Sequence, residues 1–139
     1  MVKAKVLLVT GESSTYQLFS DVLSRYGYIW RCVTDAEIVT SEIAVSKPDI
    51  VFLDKELSGG NSLRVLESIR TVYPNLPVIF VANDPMDPFI SSALRSGAVA
   101  CLIKPIHKMD LVMILEENEI AHRIGEFEHT GTMPCEVAA

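Results

Sequence analysis

Asp54 is the residue of this chain best placed to do chemistry. It ends the run Asp49-Ile-Val-Phe-Leu-Asp54, whose apolar, β-branched middle lacks polar alternation and so suits a strand buried on both faces of a parallel sheet. Ser58-Gly-Gly-Asn61 then turns the chain into a helical pattern. A carboxylate at the carboxyl end of a central parallel strand sits where open α/β sheets bind ligands and do chemistry. The plainer alternative is that Asp54 ends a strand and caps a turn. Lys104 is the second candidate, since Lys104-Pro105 breaks the apolar run Val99 to Ile103; its plain alternative is a solvated lysine at a strand end. The hydroxyl-rich stretch Gly11-Glu-Ser-Ser-Thr15 could cradle the phosphate of a flavodoxin-like cofactor. Against that, Glu12 opposes an anion and no aromatic pair stands ready to flank a flavin.

Strand and helix patterns alternate regularly along the chain. Strands are expected at Lys5 to Thr10, Tyr28 to Val33, Asp49 to Leu53, Val78 to Ala82 and Val99 to Ile103. The first helix carries Leu18, Phe19, Val22, Leu23 and Tyr26 at helical spacing, with a serine N-cap before it and Gly27 stopping it. Asp35 can cap a second helix that runs to Ser46 with Ala36, Val39 and Ile43 inward. A third, from Asn61 to Tyr73, turns Val65, Leu66, Ile69 and Val72 to one side before Pro74-Asn-Leu-Pro77. A short fourth helix has Phe89, Ile90, Ala93 and Leu94 as its apolar face and closes at Gly97. The last starts near His107 to Asp110, with Leu111, Ile114 and Leu115 inward, and Ile120, Ala121 and Ile124 can extend it. Five such units with short loops predict right-handed crossovers and a parallel sheet covered on both faces, a doubly wound α/β fold. Periodicity alone leaves the strand order open.

At 139 residues the chain is one domain, expected over 1–126, with a disordered tail expected over 127–139, of which 129–139 show no period and are expected to fray. A net charge of −6 with no Lys/Arg cluster argues against a nucleic-acid surface. No apolar run reaches the ~20 residues of a membrane span, and no leader pattern follows Met1, so a cytoplasmic protein is expected. Cys32, Cys101 and Cys135 lack metal-ligand spacing and are expected to be reduced, the first two buried.

With these pieces placed, residues 4–124 resemble the receiver domain of two-component response regulators, a flavodoxin-like (βα)5 fold. The resemblance rests on Pro48-Asp-Ile-Val-Phe-Leu-Asp54 and Gly97-Ala-Val-Ala-Cys-Leu-Ile-Lys-Pro105 at the right separation. It implies strand order 2-1-3-4-5, with helices one and five on one face and two to four on the other. It implies that Asp54 accepts a phosphoryl group from a histidine kinase, a phosphotransfer protein or a small phosphodonor, catalysing at most its own phosphorylation and dephosphorylation. Lys104 would pair with the phosphate, and Pro105 would follow a cis peptide, a minority state of X–Pro bonds. A Mg2+ ion would neutralise charge on the donor, since positioning and electrostatics carry most of phosphoryl transfer. Partners would dock on helix four, strand five and helix five, with Met86, Phe89 and Met109 as apolar contacts, and the same face could make a homodimer.

The site nevertheless departs from the family. The two adjacent acids after strand one fall on Thr10 and Gly11, with Glu12 one residue late. The Ser/Thr switch position falls on Ala82 and the aromatic one on Cys101. Ser58 and Ser62 replace the usual Pro and Gly after the acceptor. Of the metal carboxylates Asp54 alone stays in register, so Mg2+ binding is expected to be weak. Glu12, Glu56 and Asp84 lie in loops from which they could rebuild an acidic site, Glu56 normally through its backbone carbonyl, or they are solvated loop acids. Two functions therefore stand: a phosphoacceptor with an atypical site, or a phosphorylation-independent pseudo-receiver serving as an interaction module. The sequence names neither kinase nor output, and the chain either acts by contact or is part of a longer regulator.

Overall fold

The computed structural model describes residues 4–125, with side chains through Asn118. Five strands, β1 (Lys5–Val9), β2 (Ile29–Val33), β3 (Ile50–Asp54), β4 (Val78–Ala82) and β5 (Ala100–Ile103), form one parallel sheet in the order β2-β1-β3-β4-β5. Between and after them run α1 (Ser13–Arg25), α2 (Val39–Ser46), α3 (Ser62–Val72), α4 (Phe89–Arg95) and α5 (Lys108–Gly125). Every residue of β3 and β4 is buried, which is why their sequences are continuous apolar runs.

Two cores sandwich the sheet. On one face Phe19, Val22 and Leu23 of α1 and Leu111, Val112 and Leu115 of α5 cover Val6, Leu8, Phe52 and Val81. There the rings of Phe19 and Phe52 meet edge to face with centroids 5.0 Å apart. On the other, Val39 and Ile43 of α2, Leu66 and Ile69 of α3 and Ala93 of α4 cover Leu7, Val51, Leu53 and Phe80. The strand order and the division of helices match those implied by the resemblance.

Several local expectations are corrected. β1 stops at Val9, because Thr10 already belongs to the loop that builds the site. β2 and β5 each start one residue later than expected, at Ile29 and Ala100. The second helical segment opens as a 3-10 turn, Ala36–Ile38, capped by the Asp35 side chain accepting from the Glu37 N–H. Glu12 rather than a serine precedes α1, and its carboxylate caps no backbone N–H. Val72 and Leu94, expected to face inward, are largely exposed at the final turns of α3 and α4. Cys32 and Cys101 are half-buried rather than buried; the tail from 126 onward, with Cys135, lies outside the described residues.

One residue that periodicity does not single out ties the loops together. The Arg70 guanidinium donates to the carbonyls of Tyr73 (3.2 Å), Pro74 (2.9 Å), Leu76 (2.8 Å) and Gly97 (2.7 Å). It thereby joins the α3–β4 loop to the turn before β5. Gly97 has φ +116, and a Cβ there would lie 2.6 Å from Arg70 Nε, so both its conformation and its closeness require glycine. Replacing Arg70 by alanine leaves four carbonyls without this donor and should cost about 2–3 kcal/mol of unfolding free energy. Urea unfolding checks this, and Arg70→Lys should recover little, since one ammonium cannot span all four carbonyls.

Candidate functional site

The carboxyl ends of β1, β3 and β5 bring together the residues that sequence separates most widely. Asp54, at the end of β3, is fully buried. Its Oδ1 lies 3.0 Å from Lys104 Nζ and accepts the Glu56 N–H at 3.0 Å. Its Oδ2 accepts the Thr10 hydroxyl at 2.6 Å. Thr10 Oγ1 in turn accepts the N–H of Glu12 at 3.1 Å, so one hydroxyl joins the carboxylate to the next loop. Lys104 also bonds Glu12 Oε1 at 2.7 Å, and the same oxygen accepts from Thr15 Oγ1 at 2.8 Å. The peptide between Lys104 and Pro105 is cis.

The electrostatics follow from these contacts. Burial pulls the Lys104 ammonium toward neutrality, but its hydrogen bonds and charge interactions with Glu12 and Asp54 outweigh burial and leave its pKa raised. It is therefore charged at neutral pH. The Lys104 hydrogen bond, helped by that from Thr15, holds the Glu12 carboxyl below its ordinary range. A depressed folded-state pKa means that this contact stabilises above the ordinary glutamate range and is lost only as pH falls through the lowered value. Carboxyl 13C titration by NMR should place the Glu12 midpoint below that of a glutamate in an unfolded peptide, and Lys104→Met should move it back up.

The remaining sequence candidates separate. Glu12 joins the site but turns to Lys104. Glu56 contributes its N–H to Asp54, while its carboxylate accepts from Asn83 Nδ2 at 2.7 Å. Its backbone carbonyl, the expected metal ligand, accepts the Gly11 N–H at 2.8 Å. A Cβ on Gly11 would stand 3.2 Å from that carbonyl, so glycine lets the β1–α1 loop close on the β3–α3 loop. Asp84 caps a local turn by accepting from the Met86 N–H and is not brought to Asp54. Ala82 is buried with no hydroxyl to offer. Burial and then the charge of Asp87 push the Cys101 thiol up to about 11, so it stays protonated at neutral pH. Sequence reading missed Asn83, gave Thr15 a place in a phosphate-cradling stretch where it instead donates to Glu12, and took Thr10 for a mere loss of charge although its hydroxyl is an Asp54 partner. The spacing Thr10-x-Glu12 directly after a strand is the one signal that could have suggested it.

A divalent cation does not fit this arrangement well. Mg2+ wants near-octahedral oxygen ligands and parts with water reluctantly. Positions 10 and 11 supply no carboxylate, and among the described residues no group of three acidic, His or Cys side chains could hold a metal.

The response regulator receiver domain family model matches residues 6–116. The chain belongs to that family. Among curated relatives, the nitrogen assimilation regulatory protein NtrX of Azorhizobium caulinodans is 30% identical to this receiver over 113 residues, covering 80% of it and 25% of the relative. The response regulator protein FleR of Pseudomonas aeruginosa is 30% identical over 137 residues, covering 98% and 28%. The chain therefore spans about a quarter of the length of these relatives. Among solved structures, the receiver domain of NtrX from Brucella abortus superposes with a TM-score of 0.75 at 30% identity, covering 81% of this chain and 96% of that one. Receivers of two-component response regulators are in general phosphorylated on an aspartate, with Mg2+ at the site, by histidine kinases.

Proposed function

We propose that this receiver works in its two-component pathway chiefly as a protein-docking module whose acceptor site is held closed. The observation that carries this reading is the Thr10 hydroxyl on Asp54 Oδ2 at 2.6 Å. With Lys104 and the Glu56 N–H on Oδ1, both carboxylate oxygens are satisfied by the protein itself. To attack phosphorus, Oδ2 must give up its hydroxyl, without a well-formed cation site to draw in the donor. A phosphoryl group that did form would meet no hydroxyl at Ala82. A modification moves an equilibrium only by its differential interaction with the two states, so little switching follows.

The docking face is α4, β5 and α5. Met86, Met109, Met113 and Leu94 are exposed, and a groove of about 640 Å³ runs between β5 and α5, floored by Ile79, Ala100, Leu102 and Ile114. Phe89, expected to be a contact there, is instead half-buried beneath Lys55. A homodimer through this face is one form the docking can take. Among the described residues no helix is long and apolar enough to cross a membrane, and we place the protein in the cytoplasm. One relative is named a DNA-binding transcriptional regulator, NtrC of Proteus hauseri, of which this chain covers 26%. The expectation of no nucleic-acid contact accordingly concerns this acidic domain alone.

The second reading, a working phosphoacceptor in which Asp54 takes a phosphoryl group from a histidine kinase or phosphotransfer protein, is favoured by the surviving Asp54–Lys104 pair at 3.0 Å. Intact-mass spectrometry after acyl-phosphate treatment, with and without Mg2+, separates the two. Rapid Mg2+-dependent labelling abolished by Asp54→Asn would establish the second reading.

A further inference from the structure

The two residues that follow Asp54 each reach across to the loop between β4 and α4. Lys55 Nζ lies 2.5 Å from Asp87 Oδ2 and 4.6 Å above the centroid of the Phe89 ring. The other oxygen of Asp87 accepts the N–H of Phe89, the first residue of α4, at 2.9 Å. One position further, Glu56 holds Asn83. The backbone beneath is fixed, since the Lys55 N–H donates to the Val81 carbonyl at 2.9 Å and the Lys55 carbonyl accepts from Ser62 Oγ at 3.2 Å.

Helix α4 needs such anchoring. It has seven residues, of which Ala93 alone is fully buried, well short of the ~12–15 at which a helix is even marginally stable by itself. Its place must therefore come from contacts at its first turn and from the half-buried Phe89 and Ile90. The side chain of Asp87 is 6% exposed and that of Lys55 29%, so the pair is drier than the surface ion pairs that contribute little. A cation over an aromatic face adds to it. Lys55 and then the Phe89 N–H hold the Asp87 carboxyl below its ordinary range, as a persistent pair requires.

We propose that Lys55 is a latch that fixes α4 against the strand end carrying Asp54, through Asp87 and Phe89, and makes the connection that Ala82 has no hydroxyl to make. Asp54 and Lys55 share a peptide bond, so displacement of the one is felt by the other. The latch holds α4, with its exposed neighbours Met86 and Leu94, in one position in the unmodified protein. It requires no phosphoryl group, metal or partner, and so stands or falls independently of the docking function.

Hydrogen–deuterium exchange on the full chain tests this with Lys55→Met, Asp87→Asn, the double variant and Lys55→Arg. Asparagine keeps the acceptor for the Phe89 N–H, so that substitution removes the charge pair and little else. The α4 amides should exchange about tenfold faster in either single variant. The double variant should be no faster than either single one, and Lys55→Arg should stay near the wild type, with β1 and β3 unchanged throughout. Unchanged α4 exchange in Lys55→Met would overturn the proposal, as would α4 amides that are unprotected in the wild type. Equal acceleration across the sheet, or additive effects of the two single changes, would overturn it too.

Discussion

Incubated with an acyl phosphate and about 10 mM Mg2+, the protein should gain phosphoryl mass slowly or not at all, and Mg2+ alone should raise its unfolding free energy by less than about 0.3 kcal/mol. The reason is the pair Thr10 and Gly11. Thr10 caps Asp54 Oδ2, and the Gly11 N–H occupies the Glu56 carbonyl. The double variant Thr10→Asp/Gly11→Asp reverses both features. Its new Cβ at position 11 presses on that carbonyl at 3.2 Å, which must give by a few tenths of an ångström. Added carboxylates beside buried Asp54 then repel one another until a cation arrives. The variant should be less stable than the wild type without Mg2+ and regain about 1–2 kcal/mol with it. It should also label at least about tenfold faster, provided Lys104 is intact. Calorimetric Mg2+ titration and intact-mass spectrometry read both effects. Tight Mg2+ binding by the wild type would sink this account.

Lys104→Met should be the most destabilising change at the site, costing about 3 kcal/mol at neutral pH, whereas Asp54→Asn should change stability by less than about 1 kcal/mol. The asymmetry comes from burial. Asp54 is wholly enclosed and Lys104 is its one ion-pair partner among the described residues. Removing the ammonium strands a negative charge with only a hydroxyl and an N–H for company. Removing the carboxylate's charge leaves Lys104 still paired with Glu12. Part of the loss in Lys104→Met should disappear as pH falls through the lowered Glu12 value, because protonation of Glu12 ends its contact with Lys104 in the wild type as well. Urea unfolding of both variants between neutral and acid pH decides this; equal costs for the two, or a pH-independent cost for Lys104→Met, would show that the ion pair does not govern the site.

The five βα units and the central place of Asp54 are legible along the chain, and the meeting of Asp54 with Lys104 follows from the family resemblance. Buried parallel strands must be apolar on both faces, and that leaves Ile50 to Leu53 and Val78 to Ala82 as unbroken apolar runs. The strand order came with the resemblance carried by Pro48 to Asp54 and Gly97 to Pro105, since periodicity has a length but no neighbour; the register is seen only in the folded sheet. What surrounds Asp54 follows only from the packed fold. Thr10, Gly11 and Glu12 differ from the family's acids by type, which sequence records. Whether they leave a gap or fill it depends on how closely two loops approach, and 44 residues separate Thr10 from Asp54. The same holds for Lys55, Asp87 and Phe89, and for the Arg70 clamp. A charged side chain carries no periodic signature of its partner, because its reach is spent across a gap between elements rather than along one. Patterns along the chain encode which faces are apolar; the polar contacts that set this site are encoded only in how those faces dock.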